Sequence, residues 1–236
     1  MTLPLAALGI AAVGLVLLGA AGPAYRLGAS LPTAFAILRW AAYVGVAGAL
    51  LSTVAAYFAY RKRVYRNLAL SGVAFVIGVT AFGIPYSWQR RAAGVPPIHD
   101  ITTDLENPPA FEAVVPLRAD APNSLERPGM LAAQQRDGYP TLAPVTLPVP
   151  PDQAFDRALG VALDKGWDIV TADKSTGRIE ATDTTRFFGF KDDVVIRLTP
   201  WGSGTRVDMR SVSRTGRSDV GTNARRIEAF LDDLQD

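Results

Sequence analysis

The first 91 residues contain three long uncharged apolar stretches and no acidic residue. The stretches cover residues 3–21, 40–60 and 67–89, about 20 residues each. At about 1.5 Å per helical residue, each is long enough to cross a hydrocarbon core of roughly 30 Å. A cleaved signal peptide is the alternative for the first stretch, but it lacks the basic amino-terminal region of such signals and two further spans follow. The sequence therefore predicts an anchor of three transmembrane helices in residues 1–91.

Basic residues in the loops predict how the anchor is oriented. The short loop 61–66 between the second and third spans carries four basic residues, whereas the other loop and the segment after the third span carry two each. Cytoplasmic loops are enriched in Lys and Arg. We therefore expect a multi-pass protein of the bacterial inner membrane, with its amino terminus in the cytoplasm and its carboxy-terminal domain in the periplasm.

Composition argues against several classes of function. After residue 91 there are 16 basic and 22 acidic residues, a net charge of −6 that disfavours nucleic-acid binding. The chain has no cysteine and a single histidine, which excludes disulfides and weakens a histidine-rich metal site. Nucleotide-binding glycine loops and hydrolase motifs are absent, so no cofactor is expected. The apolar spans contain no Asp, Glu, Lys or His, which disfavours a channel or pump.

Small residues within the spans suggest close helix packing. Gly45, Gly48, Gly72 and Gly78, together with many alanines, would let helix backbones approach each other. The spans therefore predict an anchor or an assembly surface in contact with the lipid bilayer.

The remaining residues divide into a strap and a compact domain. Residues 92–151, here called the strap, hold 12 of the 17 prolines and show no regular period, so we expect an extended segment laid on the domain. Residues 152–236 show an amphipathic helix, four β-like runs and a second amphipathic helix. The runs cover 167–172, 178–184, 193–199 and 205–213. This order predicts an α+β domain in which an antiparallel meander has one face buried under both helices and one face wet, or holding a ligand, a partner or part of the strap.

Three motifs in this region occur in a specific order. They are residues 98–104 with 108–111, residues 179–184 running into 188–197, and residues 210–214 with 216–219, Asn223 and 226–227. In these motifs the chain resembles the bacterial family known as domain of unknown function fourteen ninety-nine, in its form with a multi-helix membrane region. The resemblance covers about residues 96–235. It implies domain boundaries but no particular activity.

One group of candidate site residues combines an imidazole with carboxylates. His99, Asp100 and Asp104 lie within six residues of each other, and Asp192 and Asp193 could join them from a strand. Such a set could hold a divalent cation or perform acid–base chemistry. The alternative is that the first three side chains pin the strap by hydrogen bonds, and that the two aspartates form ion pairs with arginines or lie at a solvated strand entry.

A second candidate is basic. Arg210, Arg214 and Arg217 lie close in sequence to two further arginines, 225 and 226, and to several serines before a helix. This combination suits an anionic headgroup or phosphate. Ion pairing with nearby aspartates is the structural alternative. The aromatic loop 187–190 could dip into a membrane, line a cavity, contact a partner or be buried under the strap.

These patterns predict a non-enzymatic, membrane-anchored binding or accessory module that joins a protein partner in a membrane complex. The alternatives are a metal-dependent or acid–base envelope enzyme acting on a lipid or glycan, and an anionic-lipid-binding module. The site residues of the enzyme alternative would have to converge in space.

Overall fold

The computed structural model describes residues 2–236 and separates them into two compact units. The first unit holds the amino-terminal residues up to Arg90 together with Phe187–Gly189. The second unit holds Arg91–Arg186 and Phe190–Asp236. The aromatic Phe187–Gly189 segment thus groups with the helical unit, whereas Phe190 belongs to the second unit.

Three long helices form the first unit: α1 (Leu3–Arg26), α2 (Leu31–Arg61) and α3 (Tyr65–Ala93). Each is long and apolar enough to cross a membrane, which confirms the prediction of three long apolar helices in this region. The helices extend beyond the uncharged stretches and include basic residues near their ends. Ser30 caps α2 by accepting the backbone N–H of Thr33 at 3.3 Å.

Glycines set the closest contacts within the helical unit. A side chain on Gly45 would place its Cβ 2.7 Å from the carbonyl oxygen of Gly78, and one on Gly48 would lie 2.9 Å from Ala11. The central helix α2 therefore packs closely against both α1 and α3, as expected for small residues between spans. Gly72 differs, because a Cβ there would meet nothing within 4 Å. Three of the four glycines named in the sequence analysis, all except Gly72, thus lie in contacts between the helices.

Replacing Gly45 with leucine is expected to destabilise the helical unit, since the new side chain would overlap backbone atoms of α3. We expect a loss of about 1–3 kcal/mol, measured by thermal unfolding of the full-length protein in detergent. Gly72→Leu is the matched control, because it adds the same side chain to open space. Equal melting temperatures for the two variants would contradict the packing described here.

The second unit is built on a six-stranded antiparallel sheet. Along the sheet the order is β1-β6-β5-β4-β3, and β2 pairs with the same strand β6. The strands are β1 (Asp100–Thr102), β2 (Val145–Leu147), β3 (Asp168–Asp173), β4 (Arg178–Thr184), β5 (Lys191–Trp201) and β6 (Gly204–Ser213). The helices are α4 (Met130–Gly138), α5 (Pro151–Asp164) and α6 (Thr222–Gln235). The predicted α+β order of helix, four-stranded meander and helix is confirmed.

The strap contains more regular structure than expected. It contributes β1, β2, α4 and a 3-10 turn over Val115–Arg118. Strand β1 pairs with residues 210–212 and β2 with residues 205–207, so both extend the same edge of β6. Most strap residues still lie outside any helix or strand, as expected. The short elements were not expected; the strands form because free backbone groups along β6 offer pairing partners to strap segments.

Both faces of the sheet are covered. On the helix face, Val194, Ile196 and Met209 are fully buried under α5 and α6, and Phe230 stacks on Trp167 at 5.5 Å. The opposite face of the sheet, here called the strap face, is shielded from solvent at its centre. Val195 and Val212 there pack against Phe111 and Val114 of the strap. The strap thus closes the face that the sequence pattern left open.

Candidate functional site

The strap face carries a buried array of charged and polar side chains. Strand register places Thr182 beside Asp193 and Arg197 beside Asp208, and it places Val195 between Glu180 and Arg210. Alternate residues of a strand share a face, so all of these lie opposite the apolar helix face. Glu180 and Asp193 are completely buried. Buried charges require partners, and the strap supplies many of them.

Asp193 lies at the centre of one cluster. Its Oδ2 accepts hydrogen bonds from Arg118 Nη1 at 2.5 Å and from Arg214 Nε at 2.9 Å. Its Oδ1 accepts from Arg214 Nη2 at 2.8 Å and from the Thr182 hydroxyl at 2.7 Å. Burial alone would raise the pKa of this carboxyl, but hydrogen bonds from Arg214, Thr182 and Arg118 together hold the pKa below its usual value. Asp193 is therefore a fixed anion that joins strap and sheet.

Asp100 forms a second cluster at the start of β1. Its two carboxylate oxygens accept from Arg210 Nε at 3.0 Å and Nη2 at 2.9 Å, and Arg127 Nη1 lies 2.9 Å from Oδ1. Arg210 also donates to the carbonyl oxygens of Pro109 and Leu125 in the strap. This bidentate pair ties two separate points of the strap to β6.

Asp104 has a different environment at the edge of the strap face. Its Oδ1 accepts the backbone N–H groups of Glu106 and Asn107, and its Oδ2 lies 2.9 Å from Arg206 Nη2. Arg197 and Arg206 both also bind Asp208. The carboxylate thus organises a turn of the strap and joins a partly exposed ion-pair network.

Glu180 binds the strap backbone directly. Its Oε1 accepts the N–H of Glu112 at 2.8 Å, and its Oε2 accepts the N–H of Val114 at 2.9 Å. Arg178 lies close enough for a salt bridge, with its Nη1 at 3.3 Å from Oε1. A completely buried carboxylate therefore holds two strap amides that pair with no strand.

Asp192 belongs to a third cluster, on the opposite side of β5. Its carboxylate accepts from Arg226 Nη2 at 2.6 Å, and the same arginine binds Asp183. Arg226 also donates to Ser211 and Asn223. Burial alone would lower the pKa of Arg226, but the carboxylates of Asp192 and Asp183 outweigh this and raise the pKa. This cluster anchors α6 to the sheet.

His99 and Arg217 are peripheral to these clusters. The Nδ1 atom of His99 lies 3.3 Å from the carbonyl oxygen of Arg217, and the arginine residue itself is exposed. The backbone carbonyl of His99 accepts hydrogen bonds from Ser213 and Asn223. His99 thus contributes to the fold chiefly through its backbone carbonyl.

The five residues of the predicted metal or acid–base set do not converge. Asp192 and Asp193 are consecutive in β5, so their side chains point to opposite faces and enter different clusters. Within residues 2–236, the structure contains no group of three or more His, Asp or Glu residues placed to hold a metal ion. The side chains that the enzyme alternative needs in one place therefore lie in different clusters of the described structure. The arginines of the predicted anion site are divided in the same way, since Arg210, Arg214 and Arg226 each bind a different carboxylate.

Two residues important to these clusters were missed by sequence reasoning. Arg118 was not singled out, although it is the only Lys or Arg between residues 92 and 126. An isolated arginine among apolar residues is a usable signal of a buried partner. Glu180 carried no comparable signal, because its place in an alternating strand fits a solvent-facing position equally well.

An open groove of about 330 Å³ lies beside the third cluster. It is lined by residues of the α5–β3 turn, β4 and α6: Lys165, Trp167, Asp183, Thr222, Arg225, Arg226 and Ala229. Of its cations, Lys165 pairs with Asp233 at 2.5 Å and Arg226 pairs with the aspartates of the cluster. Most of the charged side chains that line the groove are therefore already paired within the protein.

The sequence of residues 100–234 matches the family described as "Protein of unknown function (DUF1499)". The match covers more than half of the chain. The chain belongs to the DUF1499 family. Its DUF1499 region begins at the first residue of β1 and ends within α6, so it includes the sheet, most of the strap and all three ion-pair clusters. The three apolar helices lie outside it. No curated protein matches the chain in sequence.

Proposed function

We propose that this protein is a membrane-anchored, non-enzymatic binding or accessory module of a membrane complex. One observation carries the proposal: the buried carboxylates of the candidate site bind arginines or backbone amides of the same unit. A general acid or base needs a titratable group that can reach a substrate proton. Asp193 and Glu180 are completely buried, so they act as fixed ligands of the strap.

The proposed setting is the bacterial inner membrane, with the DUF1499 region in the periplasm. The four basic residues of the loop 61–66 support a cytoplasmic location for that loop, and three spans would then export the residues that follow. Because the chain contains no cysteine, single cysteines can report this directly. Ser124→Cys should react with a membrane-impermeant maleimide in spheroplasts, and Lys62→Cys only after permeabilisation. The reverse labelling pattern would contradict the orientation.

The accessory role predicts a stable protein partner. Tagged full-length protein, crosslinked in intact cells at its natural expression level and purified in mild detergent, should bring down a membrane protein in near-stoichiometric amount. An unrelated three-span protein with the same tag controls for general membrane stickiness. Recovery of the full-length chain alone, under conditions that preserve other membrane complexes, would contradict the role.

An anionic small ligand is the second candidate, favoured by the exposed Arg225 in the groove, which forms no ion pair among the described residues. Binding there should fall steeply as salt rises, because exposed charges are screened. Calorimetric titration of the full-length protein with inorganic phosphate, at low and high salt, tests this candidate. Absence of binding at low salt would remove it.

A further inference from the structure

The loop between α2 and α3 has a defined backbone geometry. The N–H of Arg63 donates to the carbonyl of Tyr60, and the N–H of Val64 donates to that of Ala59, both at 3.0 Å. This pairing closes the carboxy end of α2 in a Schellman motif, which normally places glycine at the residue with positive φ. Here that residue is Arg63, with φ of 53°. An arginine thus occupies a left-handed conformation that glycine would adopt without strain.

The same loop holds four cations without nearby anions. We call residues 61–66 the basic hairpin; its cations are Arg61, Lys62, Arg63 and Arg66. All six of its residues are exposed. Across residues 2–236, none of the ion pairs in the structure involves these four side chains. Neutralisation within the anchor is not available, since residues 1–91 contain no acidic residue.

The start of α3 adds to this preference for an anion. Helix α3 begins at Tyr65 and has no acidic residue in its first turn, where Arg66 stands instead. The positive end of the helix dipole and a basic side chain therefore act in the same direction. Tyr60, just before the loop, and Tyr65, within it, are 71% and 74% exposed. Exposed tyrosines at the end of a membrane span favour the level of the lipid headgroups.

We propose that the basic hairpin binds the phosphate groups of anionic phospholipids. Guanidinium groups donate paired hydrogen bonds to phosphate, and the hairpin presents three of them beside a lysine. The basic residues near the carboxy end of α3, Arg90 and Arg91, are only two in number and lack the αL turn. The proposal requires that the helices span a membrane but is independent of any protein partner.

Full-length protein in neutral detergent tests the proposal by native mass spectrometry and melting temperature. Phosphatidylglycerol should bind and raise the melting temperature more than phosphatidylcholine. Arg63→Gly is the sharpest variant, because it removes one charge while placing glycine where φ is positive. It should weaken phosphatidylglycerol binding by about five-fold without lowering the melting temperature in detergent alone. Replacing all four cations with glutamine should abolish the preference over phosphatidylcholine.

Arg90→Gln combined with Arg91→Gln is the matched control and should retain the lipid preference. Glycerol phosphate at the same concentration, supplied without acyl chains, should not stabilise the protein, which separates a lipid headgroup from a free phosphate. Equal binding of the two phospholipids by the wild-type protein would overturn the proposal. An unchanged affinity of the Arg63→Gly variant, or an equal loss in the Arg90 and Arg91 control, would overturn it as well.

Discussion

Replacing Asp193 with alanine is expected to lower the free energy of unfolding of the second unit by about 3–5 kcal/mol. The carboxylate is completely buried and forms salt bridges with both Arg118 and Arg214. Its removal would leave two guanidinium groups facing each other with little access to water. Breaking a buried ion pair from one side costs more than the pair contributes, because the remaining charge loses its compensation.

Urea unfolding of the full-length protein in detergent measures this effect, with β-sheet circular dichroism or tryptophan fluorescence as the signal. Limited proteolysis adds a local readout, since the strap segment around Arg118 should become cleavable. Asp168→Ala is the control, because that aspartate is exposed at the start of β3. A stability loss no larger than that of the control would show that the Asp193 cluster does not hold the strap.

The same carboxyl predicts a pH dependence. The pKa of Asp193 is lowered in the folded state, whereas an unfolded aspartate titrates near 3.9. A group with a lowered folded-state pKa contributes stability above its unfolded pKa and loses it as the pH falls through the folded value. The wild-type protein should therefore keep this contribution between about pH 5 and 8 and lose it below about pH 4. The Asp193→Ala variant should show a smaller loss of stability over the same acid range.

Replacing Arg226 with methionine is expected to cost a similar amount, about 3–5 kcal/mol. Arg226 neutralises Asp192, which is 3% exposed, and donates to the side chains of Ser211 and Asn223. Methionine fills much of the volume but leaves the Asp192 carboxylate buried and unpaired. The amino-terminal half of α6 should then loosen from the sheet.

The neighbouring Arg225 offers a matched control for this variant. Its side chain is exposed and donates only to Val220 and Thr222 near the start of α6. Arg225→Ala should leave the urea midpoint almost unchanged, while Arg226→Met shifts it strongly. Hydrogen exchange of the α6 amides should follow the same pattern. If Arg225→Ala shifted the urea midpoint strongly and Arg226→Met did not, the assignment of the stabilising charge to Arg226 would be contradicted.

The meander and its two helices were predictable because their hydrophobic patterns keep a regular period over many residues. Val194, Ile196 and Leu198 alternate along β5, and such alternation identifies a buried face. Strands β1 and β2 were missed, since each has three residues and β1 is buried at every position. Pairing of so short a strand depends on the free edge of β6, which the local sequence does not reveal.

The candidate site was only partly predictable for a related reason. Residue types identified Asp100, Asp193 and Arg210 as unusual, but they could not tell which carboxylate binds which arginine. A strand that alternates apolar and polar residues looks the same whether water or a polar strap covers its second face. The distinction depends on contacts such as that between Glu180 and Val114, which lie 66 positions apart in the sequence.

Hydrogen exchange at the backbone amides of Glu112 and Val114 tests most directly whether the buried charges hold the strap on the sheet. Both amides lie outside any strand and have Glu180 as their hydrogen-bond acceptor. In the full-length protein we expect them to exchange about as slowly as the central amides of β5, and to exchange faster in the Asp193→Ala variant. Exchange of both amides at the rate of an unprotected peptide, while β5 remains protected, would contradict the account.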